Sequence, residues 1–289
     1  MTDLPDFDAL WNYDDPAGTE AKFRALLPAA GAQPAYHAAL LTQIARTQGL
    51  QRQFEAAHGT LDEAERLIDP SMTSTRIRLF LERGRVYNSS QHIPEAAPLF
   101  RAAWDLALAA GEDFYAVDAA HMLGICEPPE RQAEWNLRAL DLAERSAQPR
   151  ARGWLGSLYN NLGWTFHDQG DPTRALDLFE KALAFRQGQP GKQAEVLIAQ
   201  WCVARCLRTL GRVEEALAQQ QTLEREHAAA GSGDGYVFEE IAENLRLLGR
   251  LAEARPYFAR AHAELSADAW LAEQEPARLQ RLAELGADE

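Results

Sequence analysis

Lysine is nearly missing from this chain of 289 residues: Lys22, Lys181 and Lys192 are its only three. Basic side chains number 29 against 43 acidic ones, a formal net charge of −14, so arginine carries almost all of the positive charge. That balance opposes attraction to phosphate backbones and anionic membrane surfaces, and neither nucleic acid nor a membrane is expected as a partner. No apolar run approaches the roughly 20 residues that span a bilayer. The opening residues 1–8 lack the basic-then-apolar pattern of a targeting leader. Cysteine is also scarce. Cys126, Cys202 and Cys206 are an odd number without framework spacing, which suits a reducing compartment and a cytoplasmic location. There the Asn88-Ser89-Ser90 sequon stays unmodified.

The motifs of enzymes are missing too. The sequence has no phosphate-binding Gly-Lys-Ser/Thr loop, no zinc-protease helix and no serine elbow. Gly231-Ser232-Gly233-Asp234-Gly235 is glycine-rich, yet it follows a helical pattern and no strand, so it is expected to be a turn. No catalytic residue, cofactor or metal ion is expected.

What is abundant is internal repetition. A small residue, a large one four positions on, and a small or apolar one after that recur as Ala57/Leu61/Ala64, Ala96/Phe100/Ala103, Ala133/Leu137/Leu140, Ala175/Phe179/Ala182, Ala216/Gln220/Leu223 and Ala254/Phe258/Ala261. The leading alanines are 39, 37, 42, 41 and 38 residues apart. Small residues are needed where two antiparallel helices cross closely, and large ones fill the space beside the crossing. First-helix partners for this pattern are Gly84/Tyr87, Gly163/Phe166, Ala204/Leu207 and Ala242/Leu245. Punctuation at Asp69-Pro70, Gln148-Pro149, Gly188-Gln189-Pro190-Gly191 and 231–235 separates the copies.

The segment 159–182, with Tyr159, Leu162-Gly163, Phe166, Gly170, Asp171-Pro172, Ala175, Phe179 and Ala182, resembles the tetratricopeptide signature in residue type and spacing. The chain is similar to long-repeat bacterial members of that family. The resemblance implies an all-α, right-handed superhelical solenoid forming a single domain over 1–289. Repeats are expected at 35–70, 71–112, 113–149, 150–191, 192–231 and 232–267, with a capping segment at 1–34 and a capping helix and tail at 268–289. Phe23, Leu26 and Leu27 mark a partial helix in the first cap; Trp270, Leu271, Leu279, Leu282 and Leu285 mark an apolar stripe in the last. In the third copy, Ala120, His121 and Gly124 compete for the close-contact position, and Glu127-Pro128-Pro129-Glu130 replaces the usual glycine turn.

By the same resemblance, first helices line a concave binding face. The residues carried onto it are Arg85 and Asn88 in the second copy, His121 in the third, Asn160, Asn161, Trp164 and His167 in the fourth, and Trp201, Arg205 and Arg208 in the fifth. Asn161 matches the asparagine with which family members grip a peptide backbone, because a side-chain amide satisfies an N–H and a C=O together. The arginines and tryptophans describe a groove for an acidic peptide with an apolar anchor. The expected function is a non-enzymatic protein- or peptide-binding scaffold; the alternative is a sensor for a small ligand or signal peptide. Oligomeric state is not legible.

Each of these residues also has a plainer reading. Trp164 and Trp201 are equally suited to packing between helices. The arginines have carboxylates nearby with which to pair. Cys202 and Cys206, one turn apart, read as small buried hydrophobes. Asp118 and His121 share a face but lack a third ligand or a nucleophile.

Overall fold

The computed structural model describes residues 4–287, and the outermost residues of both expected caps lie outside them. The described residues are helical, without strands. They divide into two compact units, one up to Leu158 and the other from Tyr159 onward.

The first unit opens with a 3-10 turn at Phe7–Leu10, and then α1 (Pro16–Ala30), a full helix where a partial one was expected. Asp15 caps α1 by accepting from the Gly18 amide, and Pro16 takes the first position, where a missing N–H costs nothing. Three helix pairs follow: α2 (Pro34–Leu50) with α3 (Phe54–Leu67), α4 (Thr73–Ser89) with α5 (Ile93–Ala110), and α6 (Asp113–Cys126) with α7 (Pro129–Arg145). A single turn, α8 (Pro149–Arg152), precedes α9 (Leu155–Asp168), whose last ten residues belong to the second unit. There α9 pairs with α10 (Pro172–Gln187), α11 (Gln193–Thr209) with α12 (Val213–Ala229), and α13 (Gly235–Leu247) with α14 (Leu251–Leu265); α15 (Ala269–Gln274) and α16 (Pro276–Gly286) close the chain.

The pairing has the physical basis read from the repeat. A Cβ added to Gly84 would lie 2.6 Å from the Phe100 ring, and one added to Gly163 would lie 2.5 Å from the Phe179 ring. Phe100, Phe179 and Phe258 are fully buried at matching positions. Between α9 and α10, Gly170 adopts φ +80°, Asp171 caps by accepting from the Arg174 amide, and Pro172 starts the helix. Pro98 and Pro256 sit inside α5 and α14, near their starts.

The third pair departs from the expected register. Leu137 is exposed, whereas Asn136 is buried with its amide against Gly124, where an added Cβ would meet it at 2.6 Å. The short Glu127–Pro128 connection starts α7 early, so Gln132/Asn136/Ala139 take the places expected for Ala133/Leu137/Leu140. Asn136 therefore stands where the second, fourth and sixth pairs carry phenylalanine, and Gln220 does so in the fifth. Asn136 Oδ1 and both amide atoms of Gln220 are buried without a hydrogen-bond partner among the described residues. At the end of the chain Leu271, Leu279 and Leu282 are buried, but Trp270 is exposed and adds nothing to the expected stripe.

Candidate functional site

In the first unit, successive first helices bring a dense set of charges to one face. Arg78, Glu82 and Arg85 fall on one side of α4 by their i, i+4, i+7 spacing. Arg46 of α2 approaches Glu82 at 3.2 Å, Arg85 approaches it at 2.8 Å, and Arg85 also pairs with Asp118 of α6. Glu82 and Asp118 are buried. Although burial alone would lower the Arg85 pKa, the two carboxylates hold its guanidinium firmly charged.

The opening segment of the chain folds onto the same face. Phe7 is buried, with its ring edge-on to Phe23 and Tyr36, and Asp8 pairs with both Arg78 and Arg150. The longer of the two Arg78 hydrogen bonds to Asp8 is 3.0 Å, and the Arg150 contact is 3.1 Å. Burial would raise the Asp8 carboxyl, but the two guanidiniums outweigh it and hold the group below its usual range. Tyr36 Oη donates to the Pro5 carbonyl at 2.8 Å, and Trp11 Nε1 donates to Gln43 at 3.0 Å. A cavity of about 390 Å³ remains beside the segment, with Trp11, Tyr13, Phe114, Tyr115 and Trp154 among its aromatic walls and the four arginines among its charges. Arg46 lies 5.5 Å from the Tyr13 ring centre and Arg150 lies 4.0 Å from that of Phe114.

Close by, His121 stands 5.1 Å from the Trp154 ring, with Nδ1 buried and without a hydrogen-bond partner among the described residues. Burial lowers the imidazole pKa against the pull of Asp118. A depressed histidine stabilises the folded state above its unfolded pKa of about 6.5, and that contribution disappears as pH falls through the lower folded value. The melting temperature is therefore expected to fall as pH drops from 7.5 to 5.5, and less steeply in His121→Asn. His58, also depressed chiefly by burial, accounts for part of the remaining slope.

The second unit is built differently. Trp164, Trp201 and Tyr236 form an aromatic row, with ring centres 5.9 and 6.0 Å apart at successive steps. Trp164 also meets the Phe179 ring at 5.0 Å and the His167 ring at 5.2 Å, and His167 Nε2 lies 2.9 Å from Thr209 Oγ1. The Nε1 atom of Trp201 is buried without a partner among the described residues. Arg205 reaches Glu240 at 2.9 Å, and Arg208 makes two hydrogen bonds to the same buried carboxylate, at 2.7 and 2.9 Å. Beyond them Arg278 pairs with Glu239 and Arg281 with Glu243. Burial would raise the Glu243 carboxyl, but hydrogen bonds from Arg281 and Arg246 hold it low.

The sequence-expected residues are thus placed in two groups. Arg85, Asn88 and His121 belong to the first unit; Asn160, Asn161, Trp164, His167, Trp201, Arg205 and Arg208 belong to the second. Asn160 and Asn161 are half-buried, and Asn160 accepts from the Cys202 thiol at 3.4 Å. Cys202 and Cys206 are buried, their thiols pushed up by burial to about 12 and about 11. Since Arg205 shares Glu240 with Arg208, an Arg205→Glu exchange would set two carboxylates together and report on the fold before it reported on a ligand. Sequence reasoning missed Asp8, Trp11, Tyr13, Arg46, Arg150 and Trp154. A usable signal was the alternation of acidic and aromatic residues in Asp6-Phe7-Asp8 and Trp11-Asn12-Tyr13-Asp14, which is complementary to an arginine face.

Stacked antiparallel helix pairs with small-on-large crossings define an α-solenoid repeat fold. The family profile described as tetratricopeptide repeat matches residues 155–187, which span α9 and α10. No curated protein matches the sequence significantly. Among solved structures, the apo form of RapI is similar with a TM-score of 0.75 at 10% identity, over 98% of this chain and 81% of that one. A signal-transduction ATPase with a tetratricopeptide-repeat sensor from Pyrococcus horikoshii has a TM-score of 0.67 at 15% identity, over 96% of this chain and 43% of that one. BtubC from P. vanneervenii has a TM-score of 0.59 at 18% identity, over 80% and 94%. The repeat at 155–187 thus matches the tetratricopeptide profile, and the described residues share the all-α helix-pair fold of these solved structures. No helix among the described residues is long and apolar enough to cross a membrane.

Proposed function

We propose that the protein is a non-enzymatic scaffold whose first-helix face binds an acidic peptide with an aromatic anchor. The observation that carries this reading is Asp8 on Arg78 and Arg150 beside the buried Phe7: an acidic, aromatic segment already lies on that face. Arginine suits the task because its planar fork binds carboxylates in a fixed geometry. The second unit carries a separate candidate surface, on which Asn161 is assigned to a peptide backbone and Trp164 and Trp201 to apolar side chains. The three cysteines, buried and unpaired, fit a cytoplasmic setting.

Selection of a random peptide library against the folded protein tests this reading. Enriched peptides should carry carboxylates next to an aromatic residue. Arg150, 56% exposed, can be truncated to alanine with little structural cost, since Asp8 keeps Arg78 as its partner. Because a hydrogen bond to a charged group contributes about 1.5–3 kcal/mol, Arg150→Ala should weaken the selected peptides about tenfold or more by titration calorimetry. Peptides of unrelated composition, or equal affinity for the variant, would refute it.

A second reading has its own support. The cavity volume falls within the roughly 300–1,000 Å³ of small-molecule sites, and its aromatic walls and arginines suit a compact carboxylate. It gains ground if the library yields nothing while small carboxylates raise the melting temperature of the wild type but not of Arg150→Ala.

A further inference from the structure

We propose that the segment Pro5–Tyr13 is an exchangeable occupant of the arginine face, displaced by a linear peptide that presents an aromatic side chain between two carboxylates. The inference rests on the peptide-binding reading and adds the motif the partner carries and the device that holds the site closed without it.

The segment belongs to no helix pair. Its regular structure is one 3-10 turn capped by Asp6; it meets α4 through Phe7 and Asp8, and α8 through the Asp8 carboxylate. The Arg78 guanidinium lies 5.3 Å from the ring centre of Phe7 and 5.2 Å from that of Tyr115, and it pairs with Asp8. Two of those three groups come from the segment. When it leaves, a largely buried guanidinium loses its ion-pair partner and one of its two neighbouring rings, and Tyr115 remains. An uncompensated buried charge is unfavourable, so the vacated face favours whatever restores a carboxylate and a ring.

Charge bookkeeping at the cavity points the same way. Arg46 and Arg85 are served by Glu82 and Asp118, which belong to the helices, whereas Arg78 and Arg150 are served by Asp8, which does not. The helical array alone is short of carboxylate at that one place. Asp6-Phe7-Asp8 is therefore the template for the competitor. Arg150, more than half exposed, gives an incoming carboxylate its first contact before Arg78 is released. An intramolecular occupant acts at a high effective concentration, so the wild type should bind an external copy of the motif weakly and a released variant should bind it strongly.

The experiment uses a fluorescein-labelled peptide with the sequence of residues 4–14, titrated with the full chain, with Asp8→Asn and with Asp8→Asn/Arg78→Ala, and read by anisotropy. The expected result is at least tenfold tighter binding to Asp8→Asn than to wild type, lost again when Arg78 is removed. Equal affinity for wild type and Asp8→Asn overturns the exchange while leaving the binding reading intact; no binding to either overturns both. A measurement on the unaltered chain guards against a variant that folds poorly. Saturation with unlabelled peptide should speed hydrogen exchange at amides 7–13, and unchanged protection there overturns the proposal.

Discussion

A leucine at position 163 is expected to cost the folded protein about 3 kcal/mol, at the upper end of the usual range for overpacking a core. The crossing of α9 and α10 has no room for it: the first added carbon alone would sit 2.5 Å from Phe179 Cε1 and 2.7 Å from Cδ1, where about 3.5–4.0 Å is the optimum for two carbons. Phe179 cannot turn aside, because it is fully buried and the Trp164 ring lies against it at 5.0 Å. Relief requires the helices to separate, which opens the apolar contacts along both. Gly59→Ala supplies the contrast. Gly59 lies inside α3 with nothing within 4 Å of a built Cβ, so alanine there should add about 1 kcal/mol from helix propensity alone. Urea denaturation of the two variants should move the midpoint in opposite directions, and an unchanged midpoint for Gly163→Leu would remove the crossing from the account of the fold.

Glu82→Gln is expected to lower stability and raise affinity for an acidic ligand at once. Glu82 is buried and shared between Arg46 and Arg85. Removing one charge of a buried pair costs about 3–5 kcal/mol. The lower end applies, because Arg46 keeps 21% of its side-chain surface in solvent and Arg85 retains Asp118. The variant should therefore unfold at lower urea by an amount worth about 3 kcal/mol, while the face it leaves gains a full positive charge. Peptides selected on the wild type should bind Glu82→Gln more tightly, with a steeper dependence on salt. A loss of both stability and affinity would mean that Glu82 contacts the ligand or positions its receptor, and that the net charge of the face is not what attracts the peptide.

The legibility of this protein is uneven for identifiable reasons. Gly163, Phe166, Ala175 and Phe179 were readable because a helix crossing imposes residue size at fixed spacing, a local constraint repeated along the chain. In the third pair the same constraint operates, but Asn136 satisfies it with a polar side chain, and a shortened turn shifts the helix by one residue. A pattern search for apolar residues passes over both. At Arg205 and Arg208 the residue type pointed to a carboxylate, and a carboxylate is there, supplied by Glu240 from the neighbouring repeat. Which of several nearby acids an arginine meets depends on the rise and rotation between repeats, and no short stretch of sequence encodes that.

The sequence by itself determined the fold class, the helix pairs, most crossing residues and the arginine-rich character of the first-helix face, because each follows from periodicity, capping or composition. Only the tertiary structure decided which charges are spoken for. Asp8 and Arg150 are 142 positions apart in the chain and 3.1 Å apart in space. Ion pairing depends on distance in three dimensions, and packing the first three helix pairs against one another is what brings that distance into being.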